Sequence, residues 1–338
     1  MAVFVVVAVL LLGVGFAAYW TTHMPARSFR DPLPTFTAEE QASAGRLRAH
    51  LNVLAGEIGE RNLGRYDAML KAEAYLQREL EALGLRVNRE EFQVGEYRVA
   101  NLFVNIRGTS RPEEWIVVGG HYDTVPGGPG ANDNGTGAVA LLELARLALA
   151  DPPQRSVRLV AFANEENPYF GTDGMGSWVH AKGCRARQEQ IAAMISVETI
   201  GYFSDEPKSQ RYPFPLGYLY PDTGNFIAFV SNVKNRELVH RCIRAFRHTT
   251  FFPSEGGALP GNLPGVGWSD HWAFWQEGCP AVMVTDTALF RDPHYHTPED
   301  LPERLDMQRL ARVVRGLGAV ILDLAGDGNP RSLNEQES

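Results

Sequence analysis

The chain has 338 residues, of which 44% are hydrophobic, so it is long and apolar enough to bury a large core in one α/β domain or in one domain with an insertion. Its formal net charge of -8 is not offset by a basic patch, which argues against a nucleic-acid-binding protein. Its three cysteines are too widely spaced for a disulfide framework or a zinc ribbon.

Residues 1–22 are apolar and are predicted to be a transmembrane anchor or a signal segment. The stretch from Ala2 to Trp20 carries no charged side chain, and as a helix it would reach roughly 28 Å, close to the thickness of a bilayer core. The lack of a basic start and of a good cleavage site favours an uncleaved anchor. Arg27 and Arg30 follow this segment and weakly favour a catalytic domain on the cytoplasmic side, because positively charged residues tend to lie on that side of a membrane. Because an apolar N-terminal segment usually exports the rest of its chain, we expect a membrane-anchored or secreted protein with an extracytoplasmic, periplasmic catalytic domain.

The residues after this segment are predicted to form a linker at 23–37, a catalytic domain at 38–328 and a tail at 329–338. Thr37 and Glu40 match a capping box at the start of the first helix of the domain. Gly95-Glu96 is a plausible hairpin turn. The predicted elements of this part are a helix at 37–56, a helix at 67–83, a strand at 86–94 and a strand at 97–107.

The stretch from Trp115 to Glu166 is predicted to be a βαβ unit. Two apolar strand-like runs, 115–120 and 157–163, flank a helix-like run at 138–149. The crossover in such a unit makes its two strands parallel. Ligands of open α/β sheets gather beyond the carboxyl ends of the strands, so polar residues that follow these strands are expected to meet in one crevice.

The rest of the chain is predicted to return to the sheet after an insertion at about 201–267. This insertion is rich in proline and glycine, and we expect it to cover one edge of the crevice rather than to form an independent domain. The predicted elements are a helix at 174–182, a strand at 191–199, a strand at 226–231, a helix at 237–246, a short helix ending at 276, a strand at 281–285 and a closing helix at 307–325.

Residues that can bind metals follow these predicted strands. The candidate ligands are His121, Asp133, Glu165 or Glu166, Glu198 and His296. Zinc binds imidazole nitrogen and carboxylate oxygen, and a pair of metals needs one ligand that bridges both. A hydrolytic site also needs an unbound carboxylate as a base, and the adjacent Glu165 and Glu166 can supply both a ligand and the base. Asp123 is placed to accept a hydrogen bond from the other ring nitrogen of His121.

Each of these motifs alone also fits a purely structural role. A histidine after a strand is often a hydrogen-bonded structural residue, Asn-Asp-Asn-Gly is often a turn or a helix cap, and a pair of glutamates is often a solvated surface. Their joint occurrence favours a functional site, because they directly abut apolar runs such as Leu159–Ala163, where a solvated face is not expected. The sequence shows neither a phosphate-binding glycine loop nor a serine nucleophile elbow.

Six motifs, in order along the chain, resemble those of the di-zinc aminopeptidase family, which includes the secreted bacterial leucyl aminopeptidases and also contains the glutaminyl cyclases. The motifs are Gly120-His-Tyr-Asp-Thr, Ala131-Asn-Asp-Asn-Gly-Thr-Gly, Asn164-Glu-Glu, Ser196-Val-Glu-Thr-Ile-Gly, Trp268-Ser-Asp-His and Tyr295-His-Thr-Pro-Glu-Asp. The resemblance covers roughly residues 40–325. It implies the α/β fold of a zinc exopeptidase, with a mixed, mostly parallel central sheet flanked by helices.

The resemblance also implies two Zn²⁺ ions as cofactors and a set of ligands for each. His121 and Glu198 would hold one ion, Glu166 and His296 would hold the other, and Asp133 would bridge them. The implied activity is that of an aminopeptidase, which hydrolyses the N-terminal peptide bond of peptides with a free N-terminus.

The remaining site residues have implied roles in proton transfer and support. Glu165 would be the general base and acid, and Asp123 would orient His121. Asp270 and Tyr295 lie in the motifs and are expected to support the site.

The sequence departs from the family pattern in two places. The ligand after the Ser196-Val strand is commonly aspartate, whereas this chain has the longer Glu198. Residues 167–175 are an additional loop, which we expect to shape the substrate pocket. His294 competes with His296 as a ligand, and the Tyr-His-Thr context favours His296.

Three other functions are compatible with these motifs. A glutaminyl cyclase would use a single zinc, keep Asp133, Glu166 and His296 as ligands, and use Glu165 and Asp270 in proton transfer. A non-catalytic receptor module is disfavoured because such modules usually lack ligands, whereas all five positions here carry competent side chains. A carboxypeptidase or dipeptidase would differ only in the pocket, which the sequence does not resolve.

Overall fold

The structure is a computed structural model that describes residues 2–326. An eight-stranded sheet crosses the molecule. The strands are β1 Asn88–Val94, β2 Tyr97–Ile106, β3 Arg111–His121, β4 Arg155–Phe162, β5 Gln190–Glu198, β6 Ile227–Asn232, β7 Ser254–Leu259 and β8 Ala281–Thr285. Their order across the sheet is β1-β2-β4-β3-β5-β8-β6-β7. The predicted tail at 329–338 lies outside the described residues, as do several side chains near the N-terminus.

Helices cover both faces of this sheet. They are α1 Ala2–Thr22, α2 Ala38–Leu51, α3 Tyr66–Ala82, α4 Gly137–Ala150, α5 Gly176–Ala186, α6 Arg236–Thr249, α7 His271–Gln276 and α8 Met307–Ala325. Alternate residues of β3 show the two layers, because Ile116 and Val118 pack into the larger core while Val117 packs with Ala181 and Phe274 on the other face. The prediction of an α/β fold with a mixed, mostly parallel sheet is confirmed.

The βαβ prediction for the central stretch is confirmed by the pairing of the strands. β3 and β4 run parallel, with Val118 opposite Leu159, and α4 connects them. β5 lies parallel on the other side of β3, so the carboxyl ends of three neighbouring strands meet at one edge of the sheet.

The start of the domain follows the predicted cap. The amide of Glu40 donates to Thr37 Oγ1 at 3.1 Å, and the amide of Thr37 donates to Glu40 Oε2 at 2.9 Å. These two bonds satisfy amides that an α-helix leaves unpaired at its N-terminus.

The segment predicted as an insertion, 201–267, contributes β6 and β7 to the sheet. β6 runs antiparallel to β8, and β7 runs parallel to β6 at the sheet edge. The sequence did not predict β7, because Ser-Glu-Gly-Gly-Ala-Leu lacks the β-branched and aromatic residues that favour strands. A Cβ at Gly256 would lie 2.9 Å from both Ile243 and Met24, so this glycine lets α6 and the N-terminal segment pack on the strand.

The N-terminal segment packs against α6 and β7. Arg247 Nη1 donates to the carbonyls of Pro25 and Ala26 at 3.0 and 2.9 Å, and the amide of Ser254 donates to Ser28 Oγ at 2.9 Å. The prediction of a transmembrane anchor at 1–22 is not supported, since none of the helices in the described part of the chain has the length and apolar character needed to cross a bilayer.

Candidate metal centre

The predicted ligands lie together at the carboxyl edge of the sheet. His121 is the last residue of β3 and Glu198 is the last residue of β5. Glu166 follows β4, Asp133 lies in the loop before α4, and His296 lies in the loop after β8. Parallel strands that end at the same edge therefore bring together residues that are far apart in the sequence.

Asp133 lies between two groups of potential ligands. Its Oδ1 is 3.3 Å from His121 Nε2, which is in turn 3.5 Å from Glu198 Oε2. Its Oδ2 is 2.8 Å from His296 Nε2, which is 3.3 Å from Glu166 Oε1. In each group the three ligand atoms lie within 4.8 Å of one another, so each has the size of a metal site.

The chemistry of these atoms fits divalent cations. His121 Nε2, Asp133 Oδ2 and Glu166 Oε1 are buried, and none has a hydrogen-bond partner of suitable geometry among residues 2–326. Buried polar atoms are normally paired, because leaving them unpaired costs free energy. Imidazole nitrogen and carboxylate oxygen are both good zinc ligands, so a cation in each group would satisfy these atoms.

The electrostatics of the site also favour bound cations. Burial, together with the charges of Glu198 and Glu166, raises the pKa of Glu165 well above its ordinary value, although His121 opposes the shift. Burial and the charge of Asp133 raise the pKa of Glu166 to about 7. Carboxylates that are buried close together repel one another, and divalent cations reverse this effect by favouring the charged forms.

Asp123 supports the site through more contacts than the sequence indicated. Its main-chain carbonyl lies 3.2 Å from His121 Nδ1, and its carboxylate lies 3.5 Å from the same nitrogen. The carboxylate also accepts hydrogen bonds from the amides of Glu165 at 3.0 Å and Glu166 at 3.1 Å. One buried aspartate therefore positions a histidine and both glutamates.

Glu198, the residue that departs from the family pattern, is held by a serine pair. Ser269 Oγ donates to Glu198 Oε2 at 2.7 Å and lies 2.7 Å from Ser196 Oγ. The longer glutamate side chain still brings its carboxylate within 3.5 Å of His121 Nε2.

Two supporting residues were missed or only partly understood from the sequence. Arg61 is fully buried and donates to the carbonyls of Tyr122 at 2.5 Å, Pro129 at 2.5 Å and Gly130 at 2.8 Å, which joins the loops on either side of the site. Asp300 accepts from the amides of Asn132 at 2.7 Å and Asp133 at 3.1 Å. Asp300 stands in the last of the six motifs, whereas Arg61 lies outside all of them.

Three further predicted positions lie around the ligands. Asp270 is fully buried, and burial raises its pKa to about 7. His294 belongs to neither ligand group that the described residues form around Asp133. From the additional loop, Asn167, Pro168 and Tyr169 line a cavity that reaches Glu166.

An apolar pocket opens beside the metal centre. It extends from Glu198 and Tyr295 over the β8, β6 and β7 part of the sheet. Aromatic and aliphatic side chains dominate its wall, including Tyr212, Leu216 and Phe226. Such a pocket suits a side chain of a molecule whose reacting group lies at the metal centre.

The family model described as peptidase family M28 matches residues 101–321. The chain belongs to this family. Membership in this peptidase family indicates a metallopeptidase, which is a hydrolase. The family resemblance drawn from the six motifs is therefore confirmed.

Relatives of this M28 peptidase include both characterised and uncharacterised proteins. It is 34% identical over 285 residues to the uncharacterized protein YfbL of Escherichia coli K12, covering 82% of this chain and 87% of YfbL. Its fold is similar to that of BSAP, a zinc aminopeptidase from Bacillus subtilis, with a TM-score of 0.67, 15% identity and coverage of 86% and 95% of the two chains. It is also similar to a glutaminyl cyclase from Fimbriiglobus ruber, with a TM-score of 0.62, 20% identity and coverage of 89% and 100%.

Proposed function

We propose that this chain is an aminopeptidase that hydrolyses the N-terminal peptide bond of peptides with a co-catalytic pair of Zn²⁺ ions. The observation that carries the proposal is the position of Asp133, whose two carboxylate oxygens face different ligand groups. A carboxylate in this position can bridge two metals. His121 and Glu198 would complete one zinc site, and Glu166 and His296 would complete the other.

The ligands are suited to bind metals that activate water for hydrolysis. Two zinc ions, when bound, supply Lewis acidity, which lowers the pKa of water and polarises a carbonyl. Asp123 and Asp300 hold the main chain next to the ligands, so the donor atoms are positioned before any substrate arrives.

Glu165 is the proposed general base and acid. Its Oε2 lies 3.9 Å from His121 Nε2, while its neighbour Glu166 faces His296. In the proposed reaction, Glu165 accepts a proton from the attacking water and then donates it to the nitrogen of the leaving amine.

The substrate is proposed to bind with its free amino group near the carboxylates and its first side chain in the apolar pocket. A protonated amine is attracted to the acidic side chains around the metals. The pocket wall then accommodates the first side chain, because it begins at Glu198 and is otherwise mostly apolar.

A single-zinc glutaminyl cyclase is the alternative, and the His121 group favours the aminopeptidase. A single metal on Asp133, Glu166 and His296 would leave the buried Nε2 of His121 without a partner. A second metal between His121 and Glu198 removes this cost.

Zinc content and substrate cleavage together test this function. The metal-loaded chain should contain two zinc ions and cleave several aminoacyl-nitroanilides, whereas a cyclase would contain one and cyclise an N-terminal glutamine. A chain with one zinc that cyclises glutamine and cleaves no nitroanilide would contradict the proposal.

We also propose that the catalytic domain acts outside the cytoplasm. Support comes from the apolar N-terminal segment, in which Phe4, Leu12 and Phe16 are 81%, 72% and 68% exposed. Fusing alkaline phosphatase to the C-terminus of the chain tests this location, since that reporter is active only after export. An inactive, fully expressed fusion would contradict it.

A further inference from the structure

We propose that the cavity beside Glu166 is a subsite for the second residue of the substrate, and that it favours an apolar side chain there. This inference rests on the proposed aminopeptidase function and extends it to the residue that follows the scissile bond. The Glu166 cavity lies between the turn before α3, the loop after β3 and the additional loop at 167–175.

The Glu166 cavity and the apolar pocket lie on opposite sides of the candidate metal centre. The pocket begins at Glu198, the last residue of β5, and extends over β8, β6 and β7. The cavity is built largely from segments that follow β3 and β4, and Glu166 is the proposed metal ligand in its wall. Because this part of the sheet has the order β4-β3-β5-β8-β6-β7, the two sites lie to either side of the ligands.

An extended peptide can reach both sites with neighbouring residues. Its consecutive α-carbons are about 3.8 Å apart, and consecutive side chains point to opposite sides. Glu198 and Glu166 belong to different ligand groups, and the ligand atom of each lies within 4.8 Å of an oxygen of Asp133. A substrate with its first side chain in the pocket and its first peptide bond between these carboxylates therefore directs its second side chain toward the cavity.

Apolar side chains form most of the wall of the Glu166 cavity. Leu63 lies on the turn before α3, Pro126 lies in the loop after β3, and Pro168 and Tyr169 come from the additional loop. Tyr169 is held in place, because its amide donates to the carbonyl of Glu166 at 2.9 Å and its side chain packs against the core. This wall offers close contacts and exclusion of water to an apolar side chain.

The polar groups around the cavity are mostly paired already. Asn62 Nδ2 donates to Glu60 Oε1 at 3.1 Å and to the carbonyl of Thr124 at 3.2 Å. Thr124 Oγ1 accepts from the amide of Arg61 at 3.1 Å, and Glu60 Oε2 lies 3.5 Å from Arg65 Nε. A polar or charged side chain would therefore lose its water here without gaining a free partner, whereas an apolar one gains free energy by burial.

The test compares leucyl-leucinamide with leucyl-glycinamide in the metal-loaded full chain. We expect the wild type to cleave the first bond of leucyl-leucinamide with a kcat/KM about 10- to 30-fold higher, since each buried carbon contributes about fourfold and the side chain is only partly enclosed. Leucyl-glycinamide has the same first residue, so the ratio of the two values reports on the second residue alone.

The variants are Tyr169→Ala, which removes part of the cavity wall, Tyr169→Phe, which keeps it, and Phe170→Ala as a control. Phe170 lies in the same loop, but its ring is 5.5 Å from that of Trp272 and it is outside the described lining of the cavity. We expect Tyr169→Ala to lower the leucine-to-glycine ratio by about fivefold or more, and the other two variants to keep it. The zinc-to-protein ratio of each variant checks that the ligands are intact.

Binding gives a readout that does not depend on turnover. Analogues of the two dipeptides, with a methylene-amine group in place of the scissile peptide bond, are titrated calorimetrically. The leucine analogue should bind the wild-type chain about tenfold more tightly than the glycine analogue, and Tyr169→Ala should remove most of this difference.

Two results would overturn the inference even if the aminopeptidase function stands. One is an equal kcat/KM for the two dipeptides in the wild type, and the other is an unchanged leucine-to-glycine ratio in Tyr169→Ala. If neither dipeptide is cleaved but Tyr169 still determines the difference in binding between the analogues, the proposed function fails and the subsite remains.

Discussion

Glu165 and Glu166 are adjacent residues of the same type that have different neighbours and are proposed to have different roles. Both main-chain amides are held by Asp123, but Glu166 Oε1 lies 3.3 Å from His296 and Glu165 Oε2 lies 3.9 Å from His121. Glu166 therefore completes a ligand group that contains Asp133, whereas Glu165, among the described residues, forms a group of that size only with His121 and Glu166. This difference makes the base and the ligand separable by mutation.

Glu165→Gln should abolish turnover without releasing zinc. The amide has nearly the same shape but does not accept a proton from water, so we expect kcat to fall by about 10²- to 10⁴-fold. Zinc content, measured by mass spectrometry, should remain that of the wild type. Glu113→Gln, at an exposed position, is the control. Full activity of Glu165→Gln would mean that another residue is the base.

His296→Ala and His294→Ala form a matched pair that identifies the second histidine ligand. His296 Nε2 lies 2.8 Å from Asp133 and 3.3 Å from Glu166, whereas His294 belongs to neither group around Asp133 in the described part of the chain. We expect His296→Ala to lose one of the two zinc ions and His294→Ala to keep both, as measured by zinc-to-protein ratio after dialysis. The reverse result would assign the ligand to His294.

At the scale of elements, the short loop before α4 determines the position of Asp133. Gly130 has a φ of 58°, and a Cβ there would lie 2.4 Å from both the carbonyl of Asp133 and Thr124 Cγ2. Gly127 has a φ of 89°, but a Cβ there would have no neighbour within 4 Å among the described residues. Both positions favour glycine, and only Gly130 also lacks space.

Replacing these glycines by alanine separates backbone strain from crowding. Gly127→Ala should lower the free energy of unfolding by about 1 kcal/mol, since an L-residue in the left-handed region is strained. Gly130→Ala adds a steric clash and should cost roughly 2–4 kcal/mol, with weaker zinc binding because Asp133 moves. Urea unfolding and zinc titration measure the two effects. Equal losses in both variants would show that crowding at Gly130 is unimportant.

The sequence predicted the elements that carry ligands more completely than the contacts that hold them. His121, Asp133 and Glu198 were found because polar residues that follow apolar strands meet at one edge of a parallel sheet. Arg61 was not found, because its carbonyl partners become neighbours only after two distant loops have folded. β7 was missed because strand propensity does not favour glycine. Its two glycines are needed because Met24 and Tyr220 pack closely against them.

For the whole molecule, the candidate metal centre is a place where stability and the proposed function would depend on the same ions. Buried carboxylates from the end of β5 and from the segments after β3 and β4 converge there, and their mutual repulsion opposes folding without cations. Ions that bind only the folded chain stabilise it by an amount that grows with the logarithm of their free concentration relative to Kd.

Removing zinc should therefore lower the thermal stability of the entire chain. Two sites, each with free zinc at about 100 times its Kd, add roughly 5 kcal/mol, which corresponds to a shift of about 7 °C in Tm for a protein of this size. Scanning calorimetry before and after chelation measures the shift. Re-addition of zinc should restore Tm and magnesium should not, since this nitrogen-containing ligand set suits zinc better. An unchanged Tm after complete chelation would contradict a structural contribution of the ions.

The carboxylate of Asp123 accepts hydrogen bonds from two consecutive amides, so one side chain holds the main chain of both the proposed base and the proposed ligand next to it. A shift of this aspartate would displace Glu165, the proposed proton acceptor, and Glu166, the proposed metal ligand, together. We therefore expect the Asp123→Ala variant to lose both catalytic activity and metal affinity. Loss of this one buried side chain would therefore impair both the proposed proton transfer and the proposed metal binding.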